Sequence, residues 1–417
     1  MSSIALPPEL IETIVDEIGL LHDRGTLKAC SLVSLAFAFP AQRHLFRAVD
    51  LDNHIPRKKA YQRFHRLLVA KPHLGAYVRE LRLGDDSEDD FGSGKSWIVQ
   101  AKTLPRTLGL LPRLEAFTLT FNAEQTNWKA IPAETRSALG HLFRLPSLQA
   151  VSLEFIKAFP PQLLLSLTRL KHLSLSCVET DMSTPLATYI HTRWESNLQS
   201  LFLRGTSPPT VEMIGQALAS SPPHSLRRLA ITPTFEHGFS DAVSDLIKTG
   251  GSCLTAFEWL PSIHFSSSAG SIDLGLLPQL RLLRFVVSFR KTYAQGPFPE
   301  VVRLLSQLVA PQTVNSTANI VESVTIDVHC VRNVDGNKLQ TEWKPIDKVL
   351  TKPAFRRLKE VKVRLSTSTS SSADRHKFTL AFQDILPRLQ AKGVLLSVTN
   401  YHEVEDAKAL LDGLEGL

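Results

Sequence analysis

Gly92-Ser93-Gly94-Lys95-Ser96 is the stretch of this 417-residue chain whose residue types could cradle a phosphate. It follows a candidate strand and precedes a candidate helix, as a phosphate-binding loop does. That loop needs a glycine five positions before Gly94, and Asp89 stands there. Asp85, Asp86, Glu88, Asp89 and Asp90 would repel a phosphate besides. Nucleotide binding is therefore not the expected chemistry. Nucleophile elbows, paired-histidine zinc motifs and dinucleotide glycine fingerprints are missing from the sequence. The 14 histidines are scattered. Carboxylate pairs occur only in the acidic stretch, with no apolar setting to shift a pKa. No catalytic site, metal site or cofactor is expected.

Cysteine and charge bound the class further. Cys30, Cys177, Cys253 and Cys330 lie far apart, without zinc-ligand spacing, and read as reduced, mostly buried thiols. The opening MSSIALPPEL lacks a basic start followed by an apolar core. No apolar run approaches the roughly 18 residues a membrane helix requires. The expectation is a soluble protein of cytosol and/or nucleus, without a membrane partner. Asn315-Ser316-Thr317 matches a glycosylation sequon that an intracellular chain would not use. The formal net charge is +7. Residues 56–82 hold Arg57, Lys58, Lys59, Arg63, Arg66, Lys71, Arg79 and Arg82 against Glu80 alone, and so carry the whole excess. A nucleic-acid binder spreads its cations over a face. One basic stretch reads as a solvated helix face or a contact for an acidic partner, so nucleic acid is not an expected partner.

The elements that would position any site follow a rhythm. One pattern of apolar positions recurs as Leu114/Phe117/Leu119, Leu148/Val151/Leu153, Leu170/Leu173/Leu175 and Leu198/Leu201/Leu203. It continues as Leu226/Leu229/Ile231, Leu254/Phe257/Trp259, Leu280/Leu283/Phe285, Val321/Val324/Ile326 and Leu358/Val361/Val363. Val78/Leu81/Leu83 looks like an opening copy, and GVLLSVTN at 393–400 a closing strand. Successive first positions lie 34, 22, 28, 28, 28 and 26 residues apart, then 41 and 37. Alternating apolar positions put three side chains of each strand on one face, which only stacked neighbours can bury. The return segments read as helices, for example 210–220 and 240–250, the latter with Ser240 as N-cap and Gly250 as stop. Residues 85–94, 266–271 and 366–376 read as loops. An ordinary α/β domain with parallel strands is the alternative.

The period resembles the leucine-rich-repeat family, whose unit is typically 20–29 residues. The resemblance implies an α/β solenoid over 77–400, a curved parallel sheet with outer helices. A basic helical linker or cap over 51–76 would precede it, and a C-terminal helix or cap over 401–417 would follow. Residues between the buried positions would point outward on the concave face. The early ones, Thr118, Thr120, Ser152, Ser174 and Ser176, are small and hydroxylic. The target contacts expected on this register are Glu154, Phe202, Arg204, Glu258, Arg284, Asp327, Lys362 and Arg364, with Phe202 as an aromatic anchor. Trp259 occupies a core slot.

Residues 1–50 read as three short helices, near 6–18, 26–37 and 41–49. Pro7 and Pro8 precede the first turn, Glu9 suits the positive helix end, and Leu10, Ile14 and Ile18 form an apolar stripe with Ile11 beside it. By residue type alone this is either a docking module or a cap that seals the solenoid. The stretch resembles the F-box family. Leu6, Pro7, Glu9 and Leu10 match its opening; Ile11, Ile14 and Ile18 match its apolar positions; Leu27, Leu32, Val33 and Phe37 match the closing set. Phe37 stands where the family usually has tryptophan, and Leu35 where it often has a basic residue. The resemblance implies that these eleven residues dock on a Skp-type adaptor, and so on a cullin scaffold. The repeats would then present a target protein for ubiquitin transfer, with the chemistry on other subunits. The alternative is a leucine-rich scaffold outside any ligase.

Overall fold

The structure, a computed structural model, describes residues 6–52, 57–85, 96–121, 125–183, 197–219, 226–233, 236, 238–260, 272–289, 298–309, 319–330, 336–367 and 385–400. The phosphate-loop candidate at 92–95, the sequon, the loops at 85–94 and 266–271 apart from Asp85, and the 401–417 cap lie outside them. The chain divides into two units, Met1–Leu198 and Gln199–Leu417. In both, parallel strands alternate with helices, as in a solenoid-like repeat fold.

The first unit begins with three helices. Pro7 caps α1 (Pro8–Leu20), and Pro8 takes its first position, where a missing amide costs nothing. The Asp23 carboxylate caps α2 (Arg24–Val33) by accepting from the Thr26 amide at 3.0 Å. The segment expected as one helix over 26–37 is two. Ser34 is fully extended (φ −161°, ψ 167°) and separates α2 from α3 (Leu35–Leu45). The helix expected over 41–49 ends at Leu45, and Ala48–Asp50 is already strand β1. The parallel sheet therefore opens one strand before Val78/Leu81/Leu83.

Helix α4 (Arg57–Ala70) and a 3-10 turn (Pro72–Tyr77) carry the chain from β1 to β2 (Glu80–Gly84). Then come α5 (Trp97–Gln100), α6 (Leu104–Gly109), β3 (Ala116–Thr120), β4 (Thr126–Asn127) and α7 (Ala133–Phe143). Strand β5 (Ala150–Phe159), α8 (Pro161–Leu165) and β6 (His172–Thr180) close the unit. The strands pair in the order β1-β2-β3-β5-β6, with β4 beside β5. The register aligns Leu81, Phe117, Val151 and Leu173 in one row, all buried.

The second unit runs β7 (Ser200–Arg204), α9 (Pro208–Ala219), β8 (Arg228–Thr232), α10 (Phe239–Gly250), β9 (Ala256–Trp259) and β10 (Leu282–Phe289). It continues with α11 (Phe298–Gln307), β11 (Ser323–Cys330), α12 (Gly336–Leu350), β12 (Glu360–Thr367), α13 (Pro387–Ala391) and β13 (Leu395–Asn400). All seven strands are parallel and neighbour one another in chain order. Two buried rows cross β7 to β12: Leu201–Leu229–Phe257–Leu283–Val324–Val361 and Leu203–Ile231–Trp259–Phe285–Ile326–Val363. Trp259 is in the core, as its slot predicts. Strand β12 reaches Thr367, into the stretch expected to be loop from 366.

Two end signals differ from expectation. Gly238, at φ +87°, caps α10, so Ser240 lies inside the first turn. Glycine alone adopts that left-handed backbone without cost. The helix runs through Gly250 and ends at Gly251. Cys30 and Cys177 are partly buried and Cys253 is exposed, so the expectation of mostly buried thiols does not hold for Cys253.

Phe285 is fully buried between Trp259 and Ile326. Phe285→Ala should cost about 3–5 kcal/mol through lost burial and the cavity left behind. Chemical denaturation measures it; a cost under about 1 kcal/mol would mean the rows do not interlock.

Candidate functional site

Two surfaces carry the residues singled out by sequence. The first is the N-terminal helix module. Ile11, Val15, Leu27 and Ala41 form its core, with Ile18, Cys30, Phe37 and Leu45 packed against it. Helix α1 therefore has two apolar stripes. Ile11, Val15 and Ile18 turn inward, while Leu10 and Ile14, 51% and 44% exposed, turn outward. Leu6, Leu32 and Val33 are outward too. The eleven expected adaptor contacts thus divide. Leu6, Pro7, Glu9, Leu10, Ile14, Leu32 and Val33 are exposed; Ile11 and Leu27 are core; Ile18 and Phe37 support the core. Sequence reading missed Leu20, Leu21, Leu35 and Phe39, all more than half exposed. Their signal was an excess of large apolar residues over what three short helices can bury.

A polar clasp ties α1 to α3. The Asp16 carboxylate accepts from Arg43 Nη2 at 2.8 Å and pairs with His44 Nε2 at 2.6 Å. The His44 hydrogen bond, with Arg43 behind it, holds the Asp16 carboxyl below the usual carboxylate range against a smaller effect of burial. The His44 ring lies against Gly19, where an added Cβ would meet three ring atoms at 2.3–2.7 Å. A side chain at position 19 would have to push the His44 ring aside, and with it the bond to Asp16.

The second surface is the non-core side of strands β7 to β12. Pleating places Phe202, Ala230, Glu258, Arg284, Thr325 and Lys362 in one row on it. The expected target contacts there are not uniformly open. Arg204 and Lys362 are exposed, Phe202, Arg284 and Arg364 half-buried, and Glu258 and Asp327 buried, Asp327 completely. In the first unit Glu154 is half-buried, and Ser152 and Ser176 are buried.

Glu258 and Asp327 are thus corrected from solvent-facing contacts to the acidic members of a cross-strand ladder. Arg228 donates from Nε to Glu258 Oε1 at 2.6 Å. Arg284 donates from Nη1 to Glu258 Oε2 at 3.2 Å and from Nε to Asp327 Oδ2 at 2.7 Å. Arg364 donates to both Asp327 oxygens, from Nε to Oδ1 at 2.5 Å and from Nη2 to Oδ2 at 2.6 Å. The signs alternate along Arg228–Glu258–Arg284–Asp327–Arg364 over five neighbouring strands. Burial works against the Arg284 cation, but Asp327 and Glu258 outweigh it and raise its affinity for the proton above the usual value. Lys362 pairs outside the ladder, with Glu360 at 3.1 Å. Arg228 was missed because it precedes the core leucine and becomes a ladder member only through the neighbouring strand.

Next to the phosphate-loop candidate, which lies outside the described residues up to Lys95, Ser96 caps α5 by accepting from the Val99 amide at 3.3 Å. Buried Asp85 accepts from the Trp97 amide at 3.1 Å. Both are spent on local structure. Among the described residues no cluster of three or more His, Cys, Asp or Glu could hold a metal, and no helix is long and apolar enough to cross a membrane.

No family model matches the chain, and no curated protein matches it. Among solved structures it is similar to a crystal structure of a Bacteroides fragilis protein, a structural-genomics target. The identity is 13%, with 82% of this chain and 83% of that chain covered and a TM-score of 0.33. The functional reading therefore rests on the residues of this chain.

Removing the Asp327 carboxylate leaves Arg284 and Arg364 half-buried with their shared partner gone. Asp327→Ala should cost about 3–5 kcal/mol, whereas Lys362→Ala, at an exposed pair, should cost under about 1 kcal/mol. Denaturant titration of both variants checks the contrast; equal effects would remove the ladder's structural role.

Proposed function

We propose that this chain is a substrate-recognition subunit of a Skp–cullin–F-box ubiquitin ligase. Its N-terminal helices would be an F-box-like module that docks on a Skp-type adaptor. Its strands and helices would be leucine-rich repeats that hold a target protein. The observation that carries the reading is the outward apolar face of α1 and α2. Leu6, Leu10, Ile14, Leu32 and Val33 sit on the water side of a module whose core is already filled by Ile11, Val15, Leu27 and Ala41.

A cap that only seals an adjoining array would turn such residues inward. Each large apolar side chain left in water forfeits about 1.5–3 kcal/mol that a partner's surface would return. An apolar patch with charged neighbours such as Glu9, Glu12 and Glu17 is the usual form of a protein-docking surface. The target side would use Arg204 and Lys362, the open residues of the β7–β12 face, with half-buried Phe202 beside Arg204. The second reading is a leucine-rich scaffold outside any ligase, its helices acting as a cap. It is favoured by the packing of α3 on the Pro72–Tyr77 turn.

Co-purification with a Skp-type adaptor is the test. The wild-type chain should bind. Leu10→Asp with Ile14→Asp should weaken binding more than about tenfold, since two buried leucine-sized contacts are lost, and leave the melting temperature unchanged. A folded wild-type chain that ignores the adaptor ends the ligase reading. A broad loss of thermal stability in the double variant supports the cap instead.

A further inference from the structure

Helix α4 holds Arg57, Lys58, Lys59, Arg63 and Arg66 with no carboxylate of its own. Its apolar side, Tyr61, Phe64 and Leu68, is buried in the first unit. Lys59, Arg63 and Arg66 are thereby turned away from the core, whereas Arg57 is taken up by Asp52 and the Asp85 carbonyl. Lys59, Arg63 and Arg66 recur at helical spacing as one exposed stripe. Among the described residues none of the three has a carboxylate partner; Arg66 reaches only the Gln62 carbonyl at 3.4 Å.

Beside this stripe lies a shallow groove of about 250 Å³. Tyr61, Trp97 and Ala101 line it together with Lys58, Gln62 and Lys102. The two rings lean together with centroids 4.9 Å apart. Their polar atoms are occupied. The Tyr61 hydroxyl pairs with Thr103 Oγ1 at 2.8 Å and Thr107 Oγ1 at 3.1 Å, and the Trp97 indole N–H donates to the Gly84 carbonyl at 2.9 Å. What the groove offers an occupant is an apolar floor framed by lysines and amides.

We propose that the α4 stripe and this groove form a second docking surface, for an acidic peptide segment of a partner protein. The carboxylates would face Lys59, Arg63, Arg66 and Lys102, and one apolar side chain of the peptide would enter the groove against Ala101 and the methylene stems of Lys58 and Lys102, above the two nearly covered rings. Charge complementarity selects this occupant, and the geometry disfavours the two other polyanions. Single-stranded nucleic acid stacks its bases on exposed rings, and Tyr61 and Trp97 are only 2% and 4% exposed. An anionic membrane takes up helices that present an apolar wedge beside their cations, and α4 has spent its wedge on the core, leaving Val69 alone. The surface is separate from the outward stripe of α1, so the proposal does not depend on the adaptor reading.

Fluorescence anisotropy on the full chain tests it. The probes are a labelled peptide of aspartates and glutamates around one phenylalanine, the same peptide with glycine in place of phenylalanine, and an oligouridylate of equal charge. The phenylalanine peptide should bind, weaken as salt rises, and bind several-fold better than the glycine peptide. Lys59→Glu, Arg63→Glu and Arg66→Glu together should weaken it more than about tenfold, with an unchanged melting curve because all three are exposed. Lys102→Glu, outside α4, should weaken it several-fold independently. Salt-insensitive or absent peptide binding overturns the proposal. Tighter binding of the oligouridylate overturns the choice of partner, and so does binding that survives the triple reversal.

Discussion

Leu229 on β8 is buried because Leu201 and Phe257 stand beside it on β7 and β9. Alone on its strand it would face water. The same holds for every apolar position in the two buried rows of the second unit, and for the Leu81–Phe117–Val151–Leu173 row of the first. Each strand is a half-solution that its neighbours complete, so burial accumulates along the array rather than around one centre. That requirement sets the parallel pairing, the recurrence of the strand pattern and the placing of insertions between strands.

The register that aligns the apolar rows also aligns the opposite side, where polar residues must live at strand spacing. Like charges directly across from one another would push strands apart. The ladder from Arg228 to Arg364 solves this by alternation of sign, and it does so with Asp327 wholly removed from water. A buried pair of this kind contributes less net stability than its short distances suggest, since desolvation offsets most of the attraction. Its larger effect is selective. A β11 strand displaced by two residues keeps its leucine-like pattern inward but takes Asp327 away from both arginines. The core rows restrict which side faces in; the ladder restricts which residue faces which.

The strand rhythm was legible because it repeats, and each repeated triplet lands on an observed strand with its apolar members buried. Strand β1 was hidden because it is three residues long and only half covered, so it carries no alternation to read. The helix ends were misplaced at Ser240 and Gly250 because glycine at 238 and 251 competes for the same roles. The break at Ser34 was hidden because apolar residues continue on both sides of it. The ladder was the least legible feature: its partners lie 26 to 43 residues apart, and only the register brings them together. In the N-terminal module the apolar positions were legible as a set. Composition could not say which of the two α1 stripes faces inward, since both follow helical spacing.

Only Phe46 and Arg47 separate the end of α3 from the start of β1, and β1 is hydrogen-bonded into the sheet of the first unit. The helix module is consequently a lever and not a leash. A flexible tether would let a bound body sample a volume, raising its local concentration around the array without any preferred bearing. A two-residue joint transmits direction instead: whatever is fastened to the helices inherits the orientation of the first strands. Lengthening that joint with glycine and serine would leave every contact surface intact while erasing the heading.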